Sequence, residues 1–237
     1  MHYYYITGAS KGIGKALALS ILETTDSYVI GISRSQSIQH ERYEHLSVNL
    51  LNIADVTAMQ FIPLPDAESI QLVNNAGLIG EIKPTGQETE QGIEATYTLN
   101  SIVPAILTNR FVAAYQHQNC RKTILNISSG AARHPIASWS AYCASKAALD
   151  MQSQVLATEQ QRAKHPYPIR SFSVAPGIVD TEMQSQIRNS SISDFPDYPN
   201  FVNYHKNLQL SKPDLVAEKL ADILHNPENY TEVLLKF

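Results

Sequence analysis

The stretch "YYYITGASKGIGKALA" (residues 3–18) has the pattern of a short β-strand, a glycine-rich turn and the start of a helix. The turn contains Gly8, Gly12 and Gly14. Glycine allows positive φ and close approach of a ligand to the backbone, and a helix N-terminus offers unpaired N–H groups with a partial positive charge. A strand before such glycines and a helix after them are typical of a site for the pyrophosphate of a dinucleotide. The alternative is a glycine turn that only packs tightly.

The rest of the chain repeats this alternation of strand and helix. Strands are predicted at residues 3–6, 28–32, 45–49, 70–74, 123–127, 169–174 and 232–237. Helices are predicted at residues 12–24, 53–61, 88–117, 140–162 and 213–225. Such alternation indicates right-handed βαβ crossovers. We therefore expect a single α/β domain over residues 1–237, a Rossmann-like, doubly wound parallel sheet of about seven strands with helices on both faces.

Composition excludes several other classes of protein. The 237 residues are 43% hydrophobic, enough for a substantial core. The net charge of −4, without a dense basic cluster, argues against a nucleic-acid or membrane partner held by charge. No secretory signal or membrane span is recognisable, so we expect a cytoplasmic protein with free thiols at Cys120 and Cys143. No group of residues has the spacing of a metal site.

The end of the second predicted strand bears on the choice of dinucleotide. In "VIGISRSQ" (residues 29–36) the strand is followed by Arg34, and there is no Asp or Glu to bind a free ribose 2′-hydroxyl. An arginine there suits the 2′-phosphate instead. Lys11 in the glycine loop adds a second cation in the same neighbourhood. We therefore expect NADPH rather than NADH; the alternative for Arg34 is a solvated loop side chain.

The segment "SAYCASK" (residues 140–146) places Tyr142 four residues before Lys146 on a predicted helix. Residues at this spacing lie on one helix face. A free tyrosine has a pKa near ~10, and we expect the neighbouring ammonium to lower the pKa of Tyr142 toward the range useful for proton transfer. The alternative is an ordinary pair on a helix surface.

Two other predicted strands end in small polar residues. "TILNISSGAA" (residues 123–132) ends its strand at Ser128 and Ser129, and "QLVNNAG" (residues 71–77) ends at Asn74 and Asn75 before Ala76 and Gly77. Open parallel sheets bind ligands at the carboxyl ends of their strands. Ser, Asn and Gly are also favoured in ordinary turns, so neither segment alone indicates a site.

Together, "TGASKGIG", "NNAG", "SSG" and "YCASK", in this order, resemble the short-chain dehydrogenase/reductase family over nearly the whole chain. The family places its catalytic serine thirteen residues before its tyrosine, which selects Ser129 over Ser128. The resemblance implies a catalytic asparagine at Asn100, in "YTLNSIVPA" (residues 97–105). Its nicotinamide segment corresponds to "PGIVDTEM" (residues 176–183). The longer segments at 127–151 and 171–184 are similar to the sepiapterin-reductase-like branch, especially bacterial benzil reductases that form (S)-benzoin.

The catalytic residues implied by the resemblance are Ser129, Tyr142, Lys146 and Asn100. The implied cofactor-binding residues, with Arg34 added on chemical grounds, are Gly8, Ser10, Lys11, Gly12, Ile13, Gly14, Arg34, Asn49, Asn75, Ala76, Gly77, Tyr142, Lys146, Pro176, Gly177, Val179 and Thr181. Asn49 is a departure, because the family often has an acidic residue there; its amide oxygen can still accept a hydrogen bond from adenine.

The resemblance and the residue chemistry together predict an NADPH-dependent reductase of a ketone, in particular a neutral vicinal diketone such as benzil. Candidate substrate residues are Ala131, Trp139, Ile178 and Met183, with the Ser-, Asn-, Asp- and Pro-rich stretch 182–211 as a lid; the alternatives are simple packing and an ordinary surface insertion. The alternatives are reduction of a 3-oxoacyl carrier or of a pterin diketone, and a sensor that binds NADP without catalysis. A homodimer is expected through the helices at 98–117 and 140–162.

Overall fold

The computed structural model describes residues 1–237 and contains one sheet of seven parallel strands. The strands are β1 (His2–Thr7), β2 (Ser27–Ser33), β3 (Tyr43–Ser47), β4 (Ser69–Asn74), β5 (Arg121–Ile127), β6 (Ile169–Ala175) and β7 (Leu234–Lys236). Their spatial order is β3-β2-β1-β4-β5-β6-β7. The order reverses between β1 and β4, and ligands of open α/β sheets bind at such a switch point. The predicted Rossmann-like fold is confirmed.

Eight α-helices connect the strands: α1 (Gly12–Leu22), α2 (Ile53–Ala58), α3 (Glu90–Tyr97), α4 (Val103–Tyr115), α5 (Ser140–Arg162), α6 (Glu182–Arg188), α7 (Tyr198–Lys206) and α8 (Pro213–His225). Two of them, α1 and α8, pack together on one face of the sheet, while α4 and α5 cover the other. No helix of the protein combines the length and the apolar character that crossing a membrane requires.

The central strand β1 is buried on both faces of the sheet. Tyr4 is buried with the side chains of α1 and α8, whereas Tyr5 is buried on the opposite face with those of α4. The Tyr5 hydroxyl meets the Tyr115 hydroxyl at 3.0 Å, which provides the buried phenols with a polar partner. Because helices cover both faces of the sheet, adjacent residues of β1 are both buried.

The helix predicted at 88–117 is divided by a π-helical turn at Thr98–Ile102, which joins α3 to α4. Pro104 follows this turn and has no N–H to donate to the carbonyl of residue 100, as an α-helix would require. The backbone widens there, with Val103 N–H bonded to the Thr98 carbonyl, five residues back. Asn100 lies in the middle of this turn.

The stretch 182–211, predicted as a loop, contains α6 and α7. Its high content of Ser, Asn, Asp and Pro masked the helices, although Pro199 is compatible with the first turn of α7. The stem of the stretch is closed by main-chain hydrogen bonds from Ser211 N to Ile178 O (2.9 Å) and from Asp180 N to Ser211 O (2.9 Å). The two ends of this 30-residue stretch are therefore held together at the carboxyl side of β6.

Candidate active site

The glycine loop between β1 and α1 forms a cradle that excludes side chains. Gly8 and Gly12 have φ of +68° and +55°, which favour glycine. A Cβ at Gly14 would lie 2.3 Å from Asn75 Nδ2 and 2.5 Å from Gly8 O, so α1 packs directly on the strand ends. This close packing lets a bound group approach the backbone of the loop.

The N-terminus of α1 suits an anion. Its first turn contains no acidic residue, and no side chain caps its free N–H groups. The predicted loop residues Ser10 and Ile13 lie in this segment, with Ile13 packed against the core. The residues present thus fit the pyrophosphate of a dinucleotide.

The surroundings of Lys11 differ from those that the sequence predicts. Its ammonium is ion-paired with the carboxylate of Glu182, the first residue of α6, rather than lying free beside Arg34. A Cβ at Gly12 would lie 3.4 Å from Thr181 Cγ2, so the glycine loop and the start of α6 are in close proximity. Both side chains of this pair are largely exposed, so water screens it, and the predicted role of Lys11 as a second cation near Arg34 stays a prediction.

Arg34 follows the end of β2 and is exposed, with no hydrogen bond or ion pair to the rest of the chain. The neighbouring Ser37 hydroxyl donates to Ser10 O at 2.7 Å, which ties the Arg34 loop to the glycine loop. Asn49, after β3, is exposed and its amide oxygen accepts from Leu51 N at 3.2 Å. The glycine loop, the Arg34 loop and Asn49 all lie at the carboxyl edge of the sheet.

Asn75 shapes the cradle from the neighbouring strand. Its Nδ2 donates to Thr7 O (2.9 Å) and to Gly8 O (3.3 Å). The Thr7 hydroxyl accepts from both Asn75 N and Ala76 N, each at 3.0 Å. The end of β4 is thereby fixed to the end of β1. Sequence reasoning missed Thr7, although its position immediately before the first glycine was a usable signal.

Gly77 lies between the glycine cradle and the buried side chains of Asn100 and Lys146. A Cβ there would be 3.2 Å from Asn100 Oδ1 and 3.3 Å from Lys146 Nζ. Asn100 is fully buried; it accepts from Leu78 N at 3.0 Å, and its Nδ2 donates to Leu78 O at 2.9 Å and to Ser145 Oγ at 3.0 Å. The Asn100 side chain thus holds the loop after β4 against α5. Its predicted part in a proton relay stays a prediction, and Ser145 was missed by sequence reasoning.

Lys146 is buried beneath this loop. Its ammonium donates to Ile127 O at 2.8 Å and lies 5.9 Å from the centre of the Tyr142 ring. Burial lowers the pKa of Lys146 to about 8, and the Asp150 carboxylate opposes the fall. The predicted helical pair therefore exists as a buried pair, not as a pair on a helix surface.

The predicted lowering of the Tyr142 pKa is wrong. Burial raises the pKa of Tyr142 to about 12; hydrogen bonding with Ser129 opposes the rise, and Cys143 adds to it. The physical reason is desolvation of the phenolate, and the Lys146 ammonium is not among the groups that shift this pKa. The phenol is consequently held in its protonated form.

The adjacent serines at the end of β5 have different surroundings. Ser129 Oγ accepts from Ala131 N at 3.2 Å, within the short 3₁₀ turn Gly130–Ala132, and it also interacts with Tyr142. Ser128 is buried and its hydroxyl has no partner in the protein. The structure therefore brings Ser129 to the phenol, as the family spacing implies.

The nicotinamide segment after β6 lies at the same edge of the sheet. Gly177 has φ of +79°, and a Cβ there would face Phe237 O at 3.8 Å. Val179 is buried and pairs with Ser211 in the stem of the 182–211 stretch, while Pro176 is buried at the strand end. These residues join the base of the stretch to the edge of the sheet where Lys146 of α5 donates to Ile127 O.

An apolar cluster lies over Tyr142. Its buried members are Ile79, Ala131, Trp139, Tyr142, Ile187 and Phe195, with Met183 among the half-buried side chains packed against them. The Trp139 ring meets Tyr142 edge to face at 5.5 Å between ring centres and stacks on Phe195 at 5.3 Å. The indole Nε1 of Trp139 is buried without a partner. Of the predicted substrate residues, Ile178 lies in the stem and the other three lie in this cluster.

A comparison with protein-family models covers most of the chain. A family model described as short chain dehydrogenase matches residues 3–191. The chain belongs to the short-chain dehydrogenase family. This family comprises oxidoreductases that use a nicotinamide cofactor, which the glycine cradle fits.

Characterised members of the short-chain dehydrogenase family agree with the predicted branch. Benzil reductase ((S)-benzoin forming) of Bacillus subtilis (strain 168) is 36% identical over 94% of this chain and 93% of its own length. Sepiapterin reductase of Mus musculus is 32% identical over 78% of this chain and 77% of its own length. A short chain dehydrogenase/reductase structure from Saccharomyces cerevisiae has a TM-score of 0.85 at 23% identity and covers 100% of this chain and 96% of that chain, which supports the fold.

Proposed function

We propose that this short-chain dehydrogenase is an NADPH-dependent carbonyl reductase that converts a neutral vicinal diketone, such as benzil, into a hydroxyketone. The observation that carries the proposal is the meeting of a buried protonated phenol (Tyr142), a hydroxyl (Ser129) and a buried cation (Lys146) at the sheet edge beside the glycine cradle. These groups provide an acid, an oxyanion donor and a positive charge.

Each group has a distinct part in the proposed reaction. When bound, the dinucleotide supplies a hydride to the carbonyl carbon. The Ser129 and Tyr142 hydroxyls hydrogen-bond to the carbonyl oxygen and stabilise the negative charge that develops on it. Tyr142 then gives its proton to this oxygen; a phenol whose pKa is raised to about 12 remains available as an acid across the neutral range. Lys146 stabilises the phenolate that remains.

The preference for NADPH rests on Arg34. Its guanidinium is exposed and unpaired at the end of β2, and no carboxylate follows that strand to bind a free 2′-hydroxyl. A planar guanidinium binds phosphate through paired hydrogen bonds. The position thus favours the ribose 2′-phosphate that distinguishes NADPH from NADH.

The choice of a diketone rests on the cluster over Tyr142. Trp139, Phe195 and their neighbours offer an aromatic, aliphatic surface beside the phenol. The unpaired Trp139 N–H is a buried donor that a second carbonyl oxygen would satisfy. The similarity to benzil reductases supports the same substrate class.

The proposal is tested by following nicotinamide absorbance with purified protein, either dinucleotide, and a panel of carbonyl compounds. The panel contains benzil, a phenyl-alkyl diketone, a simple aldehyde, a β-ketoester and a pterin diketone. We expect NADPH oxidation with the aromatic diketones. Preferential reduction of the pterin or the β-ketoester would replace the substrate class, and NADPH binding without any turnover would favour the sensor.

We also propose that the protein forms a homodimer through α4 and α5. On α5, Met151 and Val155 are 58% and 48% exposed and, four residues apart, lie on one helix face; Ile102, in the turn just before α4, is also exposed. Exposed apolar surface of this kind marks association sites. Sedimentation should give twice the mass of the chain; a monomer at micromolar concentration would reject the dimer.

A further inference from the structure

The helix α5 carries a further buried ionisable side chain, Asp150, in line with Tyr142 and Lys146. Tyr142, Lys146 and Asp150 are spaced by four residues and therefore follow one another along one helix face. They are 6%, 4% and 5% exposed, respectively. The proposed reaction uses the first two, whereas it assigns nothing to Asp150.

Both oxygens of the Asp150 carboxylate have specific partners. Arg133 Nε donates to Oδ2 at 3.1 Å, and the Ser173 hydroxyl donates to Oδ1 at 2.6 Å. A carboxylate this deeply buried is costly unless it is paired and hydrogen-bonded. These contacts satisfy that condition and join α5 to β6 and to the segment that contains Arg133.

The segment that contains Arg133 also presents Ser129. The 3₁₀ turn Gly130–Ala132 begins at Ser129, and Arg133 N donates to Gly130 O at 3.1 Å at its end. The ion pair between Arg133 and Asp150 therefore holds this turn against the helix that carries the phenol. Asp150 is thus connected to Ser129 through Arg133 and to Lys146 along α5.

The charges around Lys146 are few. On α5 the only charged neighbour is the Asp150 carboxylate, beside the protonated Tyr142 phenol and the Cys143 side chain; from the neighbouring turn, Arg133 faces the carboxylate. Burial lowers the pKa of Lys146 to about 8, and Asp150 raises it. Without that carboxylate, burial would act on the ammonium unopposed.

We propose that Asp150 is a positioning residue for the reductase site: its ion pair with Arg133 fixes the turn that presents Ser129, and its carboxylate lies one helical turn from Lys146 on the same face of α5. The proposal rests on the proposed function for its consequence in catalysis, but its electrostatic part concerns the protein alone. Neither part requires Asp150 to contact the substrate or the cofactor.

The electrostatic part is tested by NMR titration of lysine labelled with ¹³C at Cε, without dinucleotide or substrate. The Lys146 signal is assigned by its loss in Lys146→Arg. We expect the wild type to titrate at about 8 and Asp150→Asn to titrate about one pH unit or more lower. Glu159→Gln, which removes an exposed carboxylate from the same helix, should match the wild type. An unchanged midpoint in Asp150→Asn overturns the proposal, whatever the protein's substrate is.

The catalytic consequence is tested by pH profiles of kcat/KM with the ketone that the protein reduces. Loss of the Lys146 charge should lower activity as pH rises through its pKa, so Asp150→Asn should move the alkaline limb to lower pH. A fall of about one pH unit gives an extra loss of about fivefold at pH 8 that disappears near pH 6. A loss that is equal at both pH values would show a purely structural role and reject the electrostatic part.

Arg133→Gln provides a test of opposite sign. It removes a cation near the carboxylate and loosens the turn, so it should lower kcat at all pH values without moving the alkaline limb downward. A downward movement of the limb would contradict the assigned charge relationship. Thermal unfolding of each variant establishes that it is folded. If neither the wild type nor any variant reduces a ketone, the proposed function is rejected, while the NMR titration still tests the effect of Asp150 on Lys146.

Discussion

The two halves of the candidate site are built from different parts of the polypeptide. On the dinucleotide side, backbone geometry dominates: positive φ at Gly8 and Gly12, the close packing of Gly14, and the uncapped start of α1. On the carbonyl side, buried side chains dominate, with Tyr142 and Lys146 inside the protein and Trp139 over them. In the proposed function, the first half recognises its ligand by shape and exposed charge, and the second acts through desolvated side chains.

The largest effect is expected from Tyr142→Phe, which removes the acid of the carbonyl side. Turnover should fall by about 10²- to 10⁴-fold, the usual contribution of a positioned proton donor. Dinucleotide binding, followed by nicotinamide fluorescence, should persist because the cradle is unchanged. Tyr167→Phe, at an exposed tyrosine, is the matched control. Full activity in Tyr142→Phe would remove this residue from the mechanism.

Gly14→Ala should break the dinucleotide side. The added Cβ would meet Asn75 Nδ2 at 2.3 Å and Gly8 O at 2.5 Å, so the loop must move. Overpacking of this kind costs about 1–3 kcal/mol. We expect this cost to weaken dinucleotide binding, measured by titration calorimetry. Gly130→Ala, where a Cβ meets nothing within 4 Å, should retain binding. Equal affinity in Gly14→Ala and wild type would show that the cradle does not depend on this packing.

Arg34→Ala should change which dinucleotide is preferred. Loss of a charge-assisted hydrogen bond to phosphate costs about 1.5–3 kcal/mol, so the KM for NADPH should rise about tenfold or more while that for NADH changes little. Arg162→Ala removes an exposed cation far along α5 and controls for net charge. The measurement is the ratio of kcat/KM for NADPH to that for NADH. An unchanged ratio would show that Arg34 does not bind the 2′-phosphate.

The smallest effect is expected from Trp139→Phe, which keeps an aromatic ring but removes the buried N–H. A neutral hydrogen bond contributes about 0.5–1.5 kcal/mol. The kcat/KM for a vicinal diketone should therefore fall by up to about tenfold relative to that for a monoketone of similar size. A parallel loss for both ketones would assign Trp139 to packing alone.

Local sequence predicted the backbone of the glycine loop because strand, turn and helix are set by neighbouring residues, whereas the contacts of Asn75 with Thr7 and Gly8 required the tertiary structure. Glycine spacing, a strand before it and a helix after it set the backbone of residues 3–18, and the strand runs set the order of elements. The Tyr142–Lys146 spacing likewise placed both side chains on one face of α5. The helices α6 and α7 were not found, because their polar composition resembles that of a loop.

Only the tertiary structure decided the pKa shifts and the ion-pair partners of the site residues. The sequence predicts a lowered pKa for Tyr142, but burial raises it, and burial depends on what distant segments cover the helix. The pairing of Lys11 with Glu182 and of Arg133 with Asp150 joins residues 171 and 17 positions apart. Local chain geometry is encoded within a few residues, whereas desolvation and charge pairing arise when remote parts of the chain pack together.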